Sequence, residues 1–224
     1  MKNFTTISVF CLLLSLALPS LEAQNRNSNR DIRVDVGGYH LQFHVTEGKS
    51  PTILFEAGGG DDSSAWRNTA PGVATVTGAR IVTYDRAGLG KSEPNPGSYS
   101  ITQEVESLER GLKQLQINGD LIVVAHSYGG FVATLFAARN TSTVKGLVLI
   151  DANLAPFFTD AVVDTLTKQA PQELEPLRKQ DPLKAAVLEK VMGAFPETVR
   201  AVRNALPPAS LPVTDIIAER THIG

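Results

Sequence analysis

Thiol chemistry has almost no foothold in this chain. Its 224 residues contain a single cysteine, Cys11. That cysteine lies inside an early apolar run, residues 7–18, and no small-residue lipoprotein pattern precedes it. The chain beyond the run therefore has no disulfide, no thiol nucleophile and no thiolate metal site. Charge of one sign is missing as well. Lys and Arg total 21 against 23 Asp and Glu, a net charge of −2, which gives no support for nucleic-acid binding. The apolar run is too short to span a bilayer comfortably. Lys2 stands before it, and Pro19, Ser20 and Ala23 follow. Residues 1–23 thus read as a signal peptide cleaved after Ala23, and not as a membrane anchor. Export to a periplasm or to the medium is the expected localisation.

What is present describes a globular chain. Hydrophobic residues make up 42% and charged residues 20%, and the length suits one domain. Residues 24–31 are polar and read as a flexible leader. Residues 32–36 alternate as a strand, Gly37-Gly38 reads as a two-residue hairpin turn, and residues 39–45 alternate again. His40, Gln42 and His44 share the polar face of that second strand. The two histidines read as solvated residues and not as a metal pair.

Buried-type strands are expected at residues 52–55, 79–84, 121–124, 144–150 and 211–218. Amphipathic spacing of Val105, Leu108, Leu112 and Leu115 predicts a helix over residues 101–116. Strands with continuous apolar runs that alternate with helices imply an α/β fold, a mostly parallel sheet covered on both faces. Residues 154–210 change character: helical, polar and interrupted by prolines. They read as a helical cap insertion within a domain of residues 32–224.

The chemistry concentrates at Ala125-His126-Ser127-Tyr128-Gly129-Gly130. A strand leads into this segment and a helix leaves it, the pattern of a nucleophile elbow. The tight turn needs small residues two positions before and after the serine, here Ala125 and Gly129. A serine on such a turn is lifted above the sheet edge, where a base can reach it. The Tyr128 N–H at the helix start is a candidate oxyanion donor. His126 is too close to Ser127 in sequence to swing round as its base and reads as packing.

Two other motifs accompany the elbow: Glu56-Ala57-Gly58-Gly59-Gly60 with Ser63-Ser64-Ala65-Trp66, and Tyr84-Asp85-Arg86-Ala87-Gly88-Leu89-Gly90-Lys91-Ser92. The second is not a phosphate loop, because Asp85 stands where a P-loop needs glycine. No metal or organic cofactor is implied. In this order the three motifs resemble the α/β-hydrolase fold family, in the group that includes esterases, cofactor-free haloperoxidases and proline iminopeptidases. The resemblance implies Ser127 as nucleophile and Gly59 as the second oxyanion donor. It also implies Asp85 as a turn stabiliser and a small-molecule acyl substrate.

The family's triad order is serine, acid, histidine. Asp151, after the strand at 144–150, is the preferred acid. Glu219 and the strand residue Asp215 fit less well. The histidine should follow one more helix and strand. His222 comes too soon, and the last strand and helix of the sheet are expected to be missing from this sequence. Three readings stay open: a serine hydrolase acting on esters or amides, a hydrolase fold that binds without catalysis, and a truncated product lacking its histidine. The oligomeric state is not legible.

Overall fold

A computed structural model describes residues 29–218. The expected signal peptide, Glu219 and His222 lie outside the described residues. The described strands are β1 (Asn29–Asp35), β2 (His40–Thr46), β3 (Lys49–Glu56), β4 (Ala79–Tyr84), β5 (Leu121–His126), β6 (Val144–Ile150) and β7 (Val213–Ile216). They form one sheet in the order β1-β2-β4-β3-β5-β6-β7. β1 pairs antiparallel with β2, and β2 with β4, while β4, β3, β5, β6 and β7 run parallel. Both neighbours of β3 come later in the chain, so successive crossovers leave it in opposite directions. Such a reversal opens a crevice at the carboxyl ends of the strands.

Crossover helices cover both faces. α2 (Ile101–Gln114) and α3 (Gly129–Arg139) build one apolar cluster, with Val105, Leu108, Leu112, Phe131 and Val132 at its centre. α1 (Ala70–Thr77) and Trp66 build the other against Ile53, Phe55 and Ile81. This double burial is why the inner strands read as continuous apolar runs.

Several boundaries differ from the sequence reading. β1 starts at Asn29, inside the stretch taken for a flexible leader, and pairs with β2 as far as Asn29 opposite Thr46. Polar partners hold that extension: Thr46 Oγ1 donates to Asn29 Oδ1 at 2.8 Å, and His44 Nδ1 lies 2.7 Å from Asp31 Oδ1. Apolar alternation cannot reveal a strand anchored this way. His44 and His40 remain partly exposed as expected, and each also gains a carboxylate partner; His40 Nδ1 sits 2.8 Å from Glu93 Oε2. α2 stops at Gln114, two residues short of the expected end, and Gln116 turns left-handed at φ 58°. β7 is half the expected length, and its residues are all exposed. The Gly37-Gly38 turn forms as expected, with φ of 110° and 100° and both N–H groups donating to Asp35 Oδ1.

The proline-broken stretch holds α4 (Asp160–Glu173), α5 (Glu175–Gln180), α6 (Pro182–Gly193) and α7 (Phe195–Arg203), with no strand among residues 154–210. Pro176, Pro182 and Pro196 occupy first turns, where a missing N–H costs nothing. Thr159 caps α4, and Asp181 caps α6 through the Lys184 N–H at 3.0 Å. Phe195 on α7 packs edge-on against Phe131 of α3, ring centres 5.8 Å apart. α6 leans on the glycine loops: a side chain at Gly60 would meet Lys184 Cε at 3.0 Å, and one at Gly88 would meet Val187 Cγ2 at 2.7 Å.

Candidate active site

β5 ends at His126 and α3 begins at Gly129, so the chain must reverse within two residues. Ser127 makes that turn with φ 49°, a left-handed conformation costing an L-residue about 1–2 kcal/mol. Three backbone hydrogen bonds hold it there. Its N–H donates to Ile150 O at 3.2 Å, and its carbonyl accepts from Gly130 at 2.9 Å and Asn153 at 2.8 Å. Small residues are required around it. A side chain at Gly129 would stand 2.7 Å from Ala57 O, and one at Gly130 would stand 2.7 Å from Asn153 O. Ala125, the other small position, is fully buried.

The glycine loop after β3 meets this turn. A side chain built on Gly59 would lie 3.3 Å from Tyr128 Cβ, so the two expected oxyanion donors are neighbours. Neither the Gly59 nor the Tyr128 N–H has a hydrogen-bond acceptor among the described residues. Asp85 behaves as a turn stabiliser, accepting from the Ser63 N–H at 2.9 Å and the Lys91 N–H at 2.8 Å.

Asp151 follows Ile150, which pairs with His126, so Ser127 and Asp151 leave the sheet side by side. Asp151 is exposed and left-handed at φ 42°. Its N–H donates to Ile216 O, and its Oδ1 accepts from the Ala218 N–H at 2.8 Å. Asp215 is exposed within β7. The three described histidines are placed elsewhere: His40 and His44 on the hairpin with their carboxylates, and His126 against the glycine loop. A side chain at Gly58 would meet His126 Nδ1 at 3.0 Å.

Beneath these backbone groups lies a buried charge cluster that the sequence reading missed. Arg86, only 4% exposed, has its Nη1 3.3 Å from Glu56 Oε1 and its Nε 3.5 Å from Glu104 Oε1. Its Nη2 donates to Gly58 O. Tyr84 donates to Glu56 and Tyr99 to Glu104, and Arg86 lies over the Tyr128 ring at 5.3 Å. Burial pushes the Glu56 carboxyl up to about 7, against the pull of Arg86. Burial works against the Arg86 charge, but Glu104 and Glu56 together hold its proton more firmly than usual. The available signal was a charged residue at the end of two apolar strands: Glu56 after Ile53-Leu54-Phe55, and Arg86 after Ile81-Val82-Thr83-Tyr84.

A pocket opens beside this cluster, with about 60 Å³ of interior space. Its lining includes Gly59, Gly60 and Tyr128 together with Val187, Lys190 and Val191 of α6. Tyr99 and Arg86 line it as well.

Comparison with known proteins agrees with this architecture. The sequence profile of the alpha/beta hydrolase family matches residues 53–221. The chain belongs to that family. Among curated relatives, the uncharacterized protein YqjL of Bacillus subtilis is 36% identical over 121 residues, 54% of this chain and 47% of that protein. A haloalkane dehalogenase of Sphingobium indicum is 24% identical over 127 residues, 55% of this chain and 42% of the dehalogenase. The chain thus matches about half the length of either relative. Among solved structures, haloalkane dehalogenase DbeA of Bradyrhizobium elkani superposes with a TM-score of 0.63 at 18% identity, covering 85% of this chain and 81% of DbeA. Cfl2 of Burkholderia cenocepacia superposes with a TM-score of 0.61 at 22% identity, covering 87% and 90%. These likenesses show the fold.

Proposed function

We propose that the chain is a serine hydrolase that cleaves ester or amide bonds of small or medium acyl compounds. Ser127 attacks the carbonyl carbon. The Gly59 and Tyr128 N–H groups receive the developing oxyanion. Asp151 orients the histidine that takes the serine proton, and water then releases the acyl group from the enzyme. None of the described histidines is assigned that role, because His40 and His44 are engaged by carboxylates and His126 packs on Gly58. The reaction needs no cofactor. With residues 1–23 as a signal peptide, it runs outside the cytoplasm.

One observation carries the reading. A left-handed serine is fixed by three backbone hydrogen bonds beside two N–H groups that have no acceptor among the described residues. Backbone strain held by its surroundings at such a position points to use. Alkyl halide displacement, the activity in some relatives' names, develops no oxyanion. A hydroxyl beside paired N–H donors suits addition to a carbonyl.

Treatment with a fluorophosphonate probe, followed by peptide mapping, tests this. Ser127 should carry the adduct and Ser127→Ala should carry none. Equal labelling of both proteins rejects Ser127 as nucleophile. A folded chain with no label and no hydrolysis of p-nitrophenyl butyrate supports the non-catalytic binding alternative.

A further inference from the structure

We infer that Arg86 is the positioning residue of the oxyanion site, orienting the Gly58–Gly59 peptide and the Tyr128 ring from a single guanidinium. The catalytic consequence rests on the serine-hydrolase reading above.

The first half of the argument is peptide geometry. Arg86 Nη2 donates to the Gly58 carbonyl. In a trans peptide the carbonyl and the following N–H point in opposite directions. Drawing the Gly58 oxygen toward Arg86 therefore turns the Gly59 N–H away from it. The Asp61 N–H also donates to the Gly58 oxygen, at 3.2 Å, a turn bond at the long end of the range. Glycine on both sides of this peptide leaves its rotation free of side-chain restraint, so an external anchor has to set it. A cation on the carbonyl also polarises the peptide and makes its N–H a stronger donor.

The second half concerns Tyr128. The same guanidinium lies 5.3 Å from the centre of its ring, a cation–π contact in a buried setting. The Tyr99 hydroxyl holds the ring's tip at 2.5 Å. The Tyr128 ring is thereby fixed at its face and its end. Its Cβ, one bond from the Cα that carries the donor N–H, faces Gly59. Glu56 and Glu104 complete the device by holding Arg86 itself, since a buried guanidinium without carboxylates would be strongly unfavourable.

Arg86→Lys tests the inference. Lysine keeps the charge for the carboxylates but loses the planar fork that reaches three partners at once. Two readouts on the full chain are needed: fluorophosphonate inactivation, separated into kinact and KI, and the Gly59 amide resonance and its exchange rate by NMR. The expected result is a folded variant whose kinact falls on the order of tenfold or more, with KI within about threefold and a displaced Gly59 amide. Labelling of wild type with kinact unchanged in Arg86→Lys, or a loss carried by KI alone, overturns the positioning role and leaves Ser127 as nucleophile. If wild type takes no label, the hydrolase reading fails and the Gly59 amide decides. A displaced resonance upholds the structural role of Arg86, and an unmoved one rejects it. Should Arg86→Lys not fold, Glu56→Gln/Arg86→Met removes both charges of the closest pair together, and the same readouts apply.

Discussion

Tyr128 and Tyr99 touch through their hydroxyls, 2.5 Å apart. Tyr99 donates its single proton to Glu104, so at this contact it must accept from Tyr128. Proton direction is therefore set along the line Tyr128, Tyr99, Glu104. Burial raises both phenols above their ordinary range, so each stays protonated at neutral pH.

Tyr99→Phe breaks that line in the middle. It leaves the Tyr128 hydroxyl and one Glu104 oxygen buried without this partner. Loss of stability by about 1–3 kcal/mol is expected from urea unfolding. A change below about 0.5 kcal/mol would show that water replaces the Tyr99 hydroxyl at no cost.

Glu56 makes stability depend on pH. Its carboxyl rises from the ordinary 4.5 to about 7 through burial. The folded chain thus binds this proton more tightly than the unfolded chain. Its contribution is fully present below about 4.5 and is lost as pH rises through about 7. The difference between 4.5 and about 7 corresponds to a loss on the order of 3 kcal/mol. Urea midpoints measured from pH 4 to 8 should decline in wild type and flatten in Glu56→Gln. A decline that persists in the variant places its source elsewhere.

Ser127→Gly separates strain from function. Glycine adopts φ 49° freely, which relieves about 1–2 kcal/mol and returns about 0.5–1 kcal/mol through the freer unfolded chain. The variant should unfold at the same or a slightly higher temperature than wild type while losing all fluorophosphonate label. A clear drop in melting temperature contradicts the strain argument.

Asp151→Asn distinguishes a strand cap from a triad acid. Asparagine keeps an oxygen for the Ala218 N–H, so stability should change by less than about 0.5 kcal/mol. Reactivity of Ser127 should fall on the order of a hundredfold or more if Asp151 orients the base. Unchanged labelling kinetics leave Asp151 as a cap only.

The elbow was legible because its demands are local. A strand, a serine and small neighbours occupy consecutive positions, and contacts of 2.7 Å at Gly129 and Gly130 show why size matters there. The hairpin was legible for the same reason. α1 was not, because Ala-Pro-Gly-Val-Ala-Thr-Val-Thr carries poor helix formers and buries only Ala70 and Ala74. Tertiary packing against β4 outweighs that weak local preference. The cluster of Glu56, Arg86 and Glu104 was illegible for a different reason. Its members come from a strand end, a loop and a helix far apart in sequence, and only the sheet order brings them together.

α3 is buried from Gly129 through Ala137, apolar on every side. Such a helix has no face on which to fray, and its amides should exchange only when the whole domain opens. α6 buries only Ala185 and Val191 among its 12 residues. The helix that follows Ser127 and the helix that lines the pocket thus belong to different stability classes. The serine is carried by the part of the molecule that opens last, while α6 can breathe without disturbing it.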